Sequence, residues 1–287
     1  MENEFGAFID MTTINLTEEL ESSCGVIMHG TSGDGPDVVL VHGTPTSAIV
    51  WDSVVERLRR RYRFHFLDLP GYGKSAKFEG QEVRLRSFAR VLAEFIDRKQ
   101  LANPVLVGHD FGAATVLGAH LKHGVPVSGL CITDGVVLSP WGTPFSRHVK
   151  QHEEIFAAVP EYVHEAVLGA HLRTAMAKTP EPDLIKALIH PWLGEVGQRA
   201  YYRQVGQYDY SYTEELETLY PSIDAPTFII WGEQDRWVDV SEGARLNNLI
   251  PNSRLCLLPD SGHFAMLDSP GLFSRELDAW LAGVTAQ

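Results

Sequence analysis

The chain reads as an α/β protein, a mostly parallel, doubly wound sheet interrupted once by a helical insertion. Three observations predict this. Short, wholly apolar runs such as Val38-Val39-Leu40-Val41 have the pattern of strands buried on both faces. Helical patterns alternate with these runs, as in parallel sheets with helical crossovers. From about Ser139 to Thr218 the strand rhythm stops, and helical segments rich in His, Tyr and Trp and punctuated by Pro and Gly replace it. The predicted organisation is a first core segment over 1–138, a helical cap over 139–218 and a second core segment over 219–287.

The elements follow in order. Glu18 to Gly30 suits a hairpin, and Ser32-Gly33-Asp34-Gly35-Pro36 a turn. The strand Val38–Val41 ends in His42-Gly43-Thr44-Pro45, and a helix is expected over Trp51 to Arg60. A strand over Phe64 to Leu69 is closed by the breaker loop Pro70-Gly71-Tyr72-Gly73-Lys74-Ser75. Arg84 to Arg98 is an amphipathic helix with Phe88, Val91, Leu92 and Phe95 on one stripe. The apolar run from Pro104 enters Gly108-His109-Asp110-Phe111-Gly112, and a helix continues through His120. Gly129 to Thr133 is the next strand. Beyond the insertion come strands over Thr227 to Trp231 and Arg254 to Leu258, then a helix carrying Leu272, Phe273, Leu277, Trp280 and Leu281.

Composition narrows the function. The chain has 287 residues, 44% hydrophobic and 21% charged, as a globular protein does. A net charge of −13 argues against nucleic acid and anionic membrane as partners. Cys24, Cys131 and Cys256 are far apart and form no CxxC pair, so neither a disulfide framework nor a zinc site is expected, and a reducing, cytoplasmic compartment fits. Met1-Glu2-Asn3-Glu4 lacks the basic-then-apolar pattern of a secretory signal, and no apolar run is long enough to span a bilayer.

The chemistry gathers at strand ends. A buried strand turning through Gly-x-Asp-x-Gly into a helix has the outline of a nucleophile elbow, with Asp110 at the apex where serine is usual. By itself this pentapeptide is equally a plain turn, since Asp favours turns. Asp235, in Trp231-Gly232-Glu233-Gln234-Asp235-Arg236-Trp237, follows another strand, and His263, in Ser261-Gly262-His263, follows the last. The order nucleophile, acid, histidine is that of a hydrolase catalytic triad. Asp134, after the strand ending at Thr133, is a rival for the acid role. His109, Lys74 and Ser75 read as structural. His148 and His152 have a metal-pair spacing but no third ligand, so a solvated helix face is expected and no metal is assigned.

With these residues in place the chain resembles the α/β-hydrolase fold superfamily over nearly its whole length. His42-Gly43-Thr44-Pro45 with Trp51 resembles the oxyanion loop, and Asp68-Leu69-Pro70-Gly71-Tyr72-Gly73-Lys74-Ser75 the loop after the next strand. Gly108-His109-Asp110-Phe111-Gly112 resembles the elbow of the epoxide hydrolase and haloalkane dehalogenase branch, whose nucleophile is aspartate. A carboxylate is ionised at neutral pH and attacks an sp³ carbon without a base. The resemblance implies a cofactor-free reaction. Asp110 forms an alkyl ester, His263 activates the water that hydrolyses it, Asp235 orients the imidazole, and the backbone N–H groups of Thr44 and Phe111 hold the oxyanion.

The electrophile is read by elimination. A halide site of that family would place N–H donors where this chain has Phe111 and Thr44. Tyr202-Arg203 resembles the later proton-donating cap tyrosine of the epoxide hydrolases, while the earlier position offers His152. The expected function is epoxide hydrolysis to a diol, on a small apolar electrophile with water as co-substrate. Haloalkane dehalogenase-like hydrolysis is the alternative, and a non-catalytic ligand binder of the same fold is a third reading.

Overall fold

The computed structural model describes residues 13–285. The acidic N-terminus lies outside the described residues. Among the described residues, eight strands form one sheet: β1 (Glu18–Ser22), β2 (Gly25–Ser32), β3 (Asp37–Val41), β4 (Arg63–Leu67), β5 (Val105–His109), β6 (Gly129–Thr133), β7 (Thr227–Gly232) and β8 (Ser253–Leu258). Their order is β1-β2-β4-β3-β5-β6-β7-β8. The β1–β2 hairpin is antiparallel and meets β4 antiparallel; every other pairing is parallel. Every residue of β5, β6 and β7 is buried, so helices cover both faces of the central sheet.

The covering helices are α1 (Asp52–Leu58), α2 (Leu85–Arg98), α3 (Phe111–His123), α10 (Val240–Leu249), the single turn α11 (Ala265–Asp268) and α12 (Pro270–Val284). α2 packs on α3, and α1 on α12. Two expected elements differ in detail. β4 stops at Leu67, because Asp68 turns its carboxylate to the main-chain N–H groups of Ala48 and Lys74. β8, apolar in sequence, is an edge strand only partly covered, with Leu257 41% exposed. An apolar run does not by itself distinguish an edge from a centre.

Between β6 and β7 lie α4 (Pro144–Gln151), α5 (Glu153–Ala157), α6 (Glu161–Ala175), α7 (Pro182–Ile189), α8 (Gly194–Gly206) and α9 (Tyr210–Glu217), with no strand in this stretch. Side-chain caps start two of these helices: Thr143 accepts the Ser146 N–H before α4, and Asp209 the Ser211 N–H before α9. The insertion is fastened to the core at the end of α6. The Ala175 carbonyl accepts the His263 N–H at 2.7 Å. The Asp268 carboxylate accepts the N–H groups of Ala177, Lys178 and Gly262 at 2.9, 3.1 and 2.8 Å.

The strand order places the crevice. From β3 the chain moves outward to β4 on one side, then returns to β5 on the other. The loops after β3 and β5 therefore diverge at a topological switch point, where doubly wound sheets take their ligands.

Candidate active site

The turn after β5 is held in a costly backbone conformation. Asp110 has φ +53° and ψ −114°, outside the regions that non-glycine residues ordinarily occupy. Three backbone hydrogen bonds fix it: its N–H donates to Thr133 at 3.2 Å, and its carbonyl accepts from Ala113 and Val136, each at 3.1 Å. Close approach explains the nearby glycines. A Cβ at Gly112 would stand 2.1 Å from the Val41 carbonyl oxygen, and one at Gly43 would stand 2.4 Å from Oδ1 of Asp110.

The Asp110 carboxylate has two differently occupied oxygens. Oδ1 accepts the backbone N–H of Thr44 at 2.6 Å. α3 begins at Phe111, whose amide is among the four N–H groups that a helix leaves without an internal acceptor. Oδ2 lies 3.3 Å from Nε2 of His263, within ion-pair reach but off the hydrogen-bond line. His263 Nδ1 in turn donates to Oδ2 of Asp235 at 2.9 Å. The other Asp235 oxygen accepts the N–H groups of Trp237 and Val238 at 2.7 and 3.0 Å. All three side chains are buried. Burial alone would lower the His263 pKa, but the charges of Asp235 and Asp110 outweigh it and hold the imidazole well above its ordinary value.

The structure brings Asp235, not Asp134, to His263. Asp134 is tied to the neighbouring strand: it accepts the Gly232 N–H at 2.8 Å and the Thr133 hydroxyl at 2.9 Å. Burial, then the charge of Asp235, pushes its carboxyl far up. His109 braces the base loop, with Nε2 donating to the His263 carbonyl at 2.8 Å, and burial beside His263 holds its pKa well down. Lys74 and Ser75 shape their loop: the Lys74 N–H and the Ser75 hydroxyl both bond Asp68.

A cavity with about 30 Å³ open to water-sized spheres touches Asp110. Thr44 and Phe111 line it from the core. Trp141, His171, Tyr201 and Tyr208 line it from the insertion, and Trp237 from the loop after Asp235. It is small and partly open to solvent. Burial, reinforced by the charge of Asp110, pushes the Tyr208 phenol well up. Burial, then the nearby His263, lowers His171 to about 4. The two indoles of the cavity wall turn their N–H groups outward. Trp141 donates to Thr213 at 3.0 Å and Trp237 to Thr174 at 2.9 Å.

Three residues expected at the site stand elsewhere. Trp51 is fully buried in the core, against His109 and Phe273, because the short helix that carries it (Ala48–Trp51) packs inward. Tyr202 is buried within the insertion, its hydroxyl bonded to His164 Nδ1 at 2.9 Å. It shares α8 with Tyr201, but adjacent helical residues point about 100° apart, and Tyr201 takes the cavity side. His152, at the junction of α4 and α5, is exposed and packs on the likewise exposed His148 at 4.7 Å. The sequence reading missed His171 and Trp237 and gave no special place to Tyr208. Only the position of Trp237, two residues past Asp235, offered a signal.

A mostly parallel sheet, an acid, a histidine and an aspartate at three strand ends, and a helical insertion over them define a hydrolase of the α/β type. The chain belongs to the alpha/beta hydrolase fold family, whose model matches residues 36–270. A solved alpha/beta hydrolase fold protein from Burkholderia ambifaria is 36% identical and covers 93% of this chain and 98% of its own, with a TM-score of 0.89. Among curated relatives, the pimeloyl-[acyl-carrier protein] methyl ester esterase of Vibrio vulnificus is 25% identical, over 86% of this chain and 94% of its own. Haloalkane dehalogenase 2 of Mycobacterium tuberculosis is 24% identical, over 87% and 89% respectively.

Proposed function

We propose that this hydrolase acts through a covalent ester on Asp110 and that its substrate is a small, uncharged epoxide. The observation that carries the reading is the division of the Asp110 carboxylate. One oxygen rests on the Thr44 N–H while the other faces His263 at the cavity. In the first step Oδ2 attacks a ring carbon, the C–O bond of the epoxide breaks, and the opening oxygen takes the proton of the Tyr208 phenol. That phenol lies on the cavity wall and stays protonated at neutral pH. In the second step His263 takes a proton from water and the hydroxide attacks the ester carbonyl carbon. The oxyanion then forms on Oδ1 beside the N–H groups of Thr44 and Phe111. Collapse breaks the bond between carbonyl carbon and alkoxy oxygen, releases the diol and restores the carboxylate; the proton on His263 returns to Tyr208 through solvent. Among the described residues no Lys or Arg lines the cavity, which favours an uncharged substrate.

Dehalogenation is less well served, because both cavity indoles have their N–H groups engaged away from the site. Ester hydrolysis by direct attack would give an anhydride and gain little. The test is intact-mass measurement of His263→Gln exposed to terminal epoxides and to haloalkanes. The expected result is an alkyl adduct on Asp110 with epoxides. Absence of any adduct, together with full activity of Asp110→Ala, would overturn the reading.

A further inference from the structure

The indole of Trp237 contacts two imidazoles. It stacks on His171 of α6 with ring centres 4.3 Å apart and planes at 16°. It also meets His263, at 5.1 Å and 36°. Its backbone N–H donates to Asp235, the carboxylate that also accepts the hydrogen bond from His263 Nδ1. Its Nε1–H donates to Thr174, also on α6, at 2.9 Å. One side chain is thus fixed at its main chain by the acid and at its ring edge by the insertion, and its ring meets the imidazole at a 36° tilt.

The face of an indole carries the negative part of its quadrupole, and a cation within about 6 Å of the ring centre is attracted to it. We infer that Trp237 is a positioning residue: its ring keeps the His263 imidazole aimed at Asp110 and favours the imidazolium that forms when water attacks the Asp110 ester. The inference rests on the ester reading above. The titratable groups around His263 are Asp110, Asp235, Asp134, His109 and His171. His109 and His171 are held neutral by burial near His263, so neither adds a competing charge at neutral pH. The aromatic face acts beside the two carboxylates without adding an ion. Through Thr174 and His171 it also links the insertion to the base, so the placing of α6 bears on the hydrolytic step.

The experiment is rapid-quench kinetics with 1,2-epoxybutane across pH, separating formation of the Asp110 ester from its hydrolysis. In Trp237→Leu, ester hydrolysis should slow about five- to tenfold and its acid limb should move down by about half to one pH unit, with ester formation within about threefold of the parent. Trp237→Phe, which keeps an aromatic face, should restore most of the profile. If Trp237→Leu fails to fold, Thr174→Val carries the test, because it frees the ring edge and should slow hydrolysis about two- to threefold. A parental hydrolysis rate and pH profile in Trp237→Leu, or in Thr174→Val where that variant is used, would overturn this inference alone. A His263→Gln enzyme that gives no adduct would overturn the ester reading and this inference with it.

Discussion

His109 donates from Nε2 to the main-chain carbonyl of His263, so the residue before the candidate nucleophile holds the loop of the candidate base. Both rings are fully buried and lie 4.9 Å apart. His109→Leu leaves that carbonyl without its donor and should cost about 2 to 3 kcal/mol, read from urea denaturation. An unchanged midpoint would show that the contact contributes nothing.

The approach of α3 to β3 leaves no space beside Gly112. Gly112→Ala must move backbone, and we expect a loss of about 3 kcal/mol or no soluble protein. Gly271, in the first turn of α12, is the control: a Cβ there meets nothing within 4 Å. Gly271→Ala should match the parent within about 0.5 kcal/mol or exceed it.

Two tyrosines of the insertion separate chemistry from packing. Tyr208→Phe should slow formation of the Asp110 ester from an epoxide by about a hundredfold or more. Tyr202→Phe loses only the bond to His164 and should cost about 1 kcal/mol of stability, with turnover changed less than threefold. A reversed ranking in steady-state rates would return Tyr202 to the site.

The histidines pull stability in opposite directions with pH. His171 titrates at about 4 in the folded chain, below its unfolded value, so its contribution is complete above about pH 6.5 and is lost as pH falls toward 4. His263 is held up, so its contribution is complete below about pH 6.5 and is lost as pH rises through its raised folded value. Chemical denaturation at pH 7 and 4.5 should show His171→Gln losing about 2 kcal/mol less than the parent over that interval. Equal losses would mean that His171 does not limit acid stability.

Asp268 joins the base loop to the end of α6 through three main-chain N–H groups. In Asp268→Asn an amide NH₂ replaces one accepting oxygen and faces a donor. The expected cost is about 2 kcal/mol. Hydrogen exchange at Ala177, Lys178 and Gly262 should accelerate more than exchange in β5; uniform acceleration would argue against a local fastening.

Much of this was legible in the sequence, for identifiable reasons. β3, β5, β6 and β7 are covered on both faces, and that requirement writes itself as short apolar runs. The elbow at Asp110 shows through its glycines, because Gly112 has no room for a side chain. The insertion was legible only as helices. Which face of α8 meets the cavity depends on packing against neighbouring helices, so Tyr202 was expected where Tyr201 lies. His171 enters the site from a helix whose apolar pattern gives it no distinction. Trp51 belongs to a recognisable loop motif, yet its ring turns into the core.

The 3.3 Å between Asp110 and His263 carries a consequence for timing. In the resting site two carboxylates flank the imidazole and strengthen its hold on a proton. Esterification would neutralise one of them. The imidazole would then hold a proton less tightly and stand free to take one from water when there is an ester to cleave. The nucleophile would act as an interlock, in which the first bond made arms the group that later breaks it.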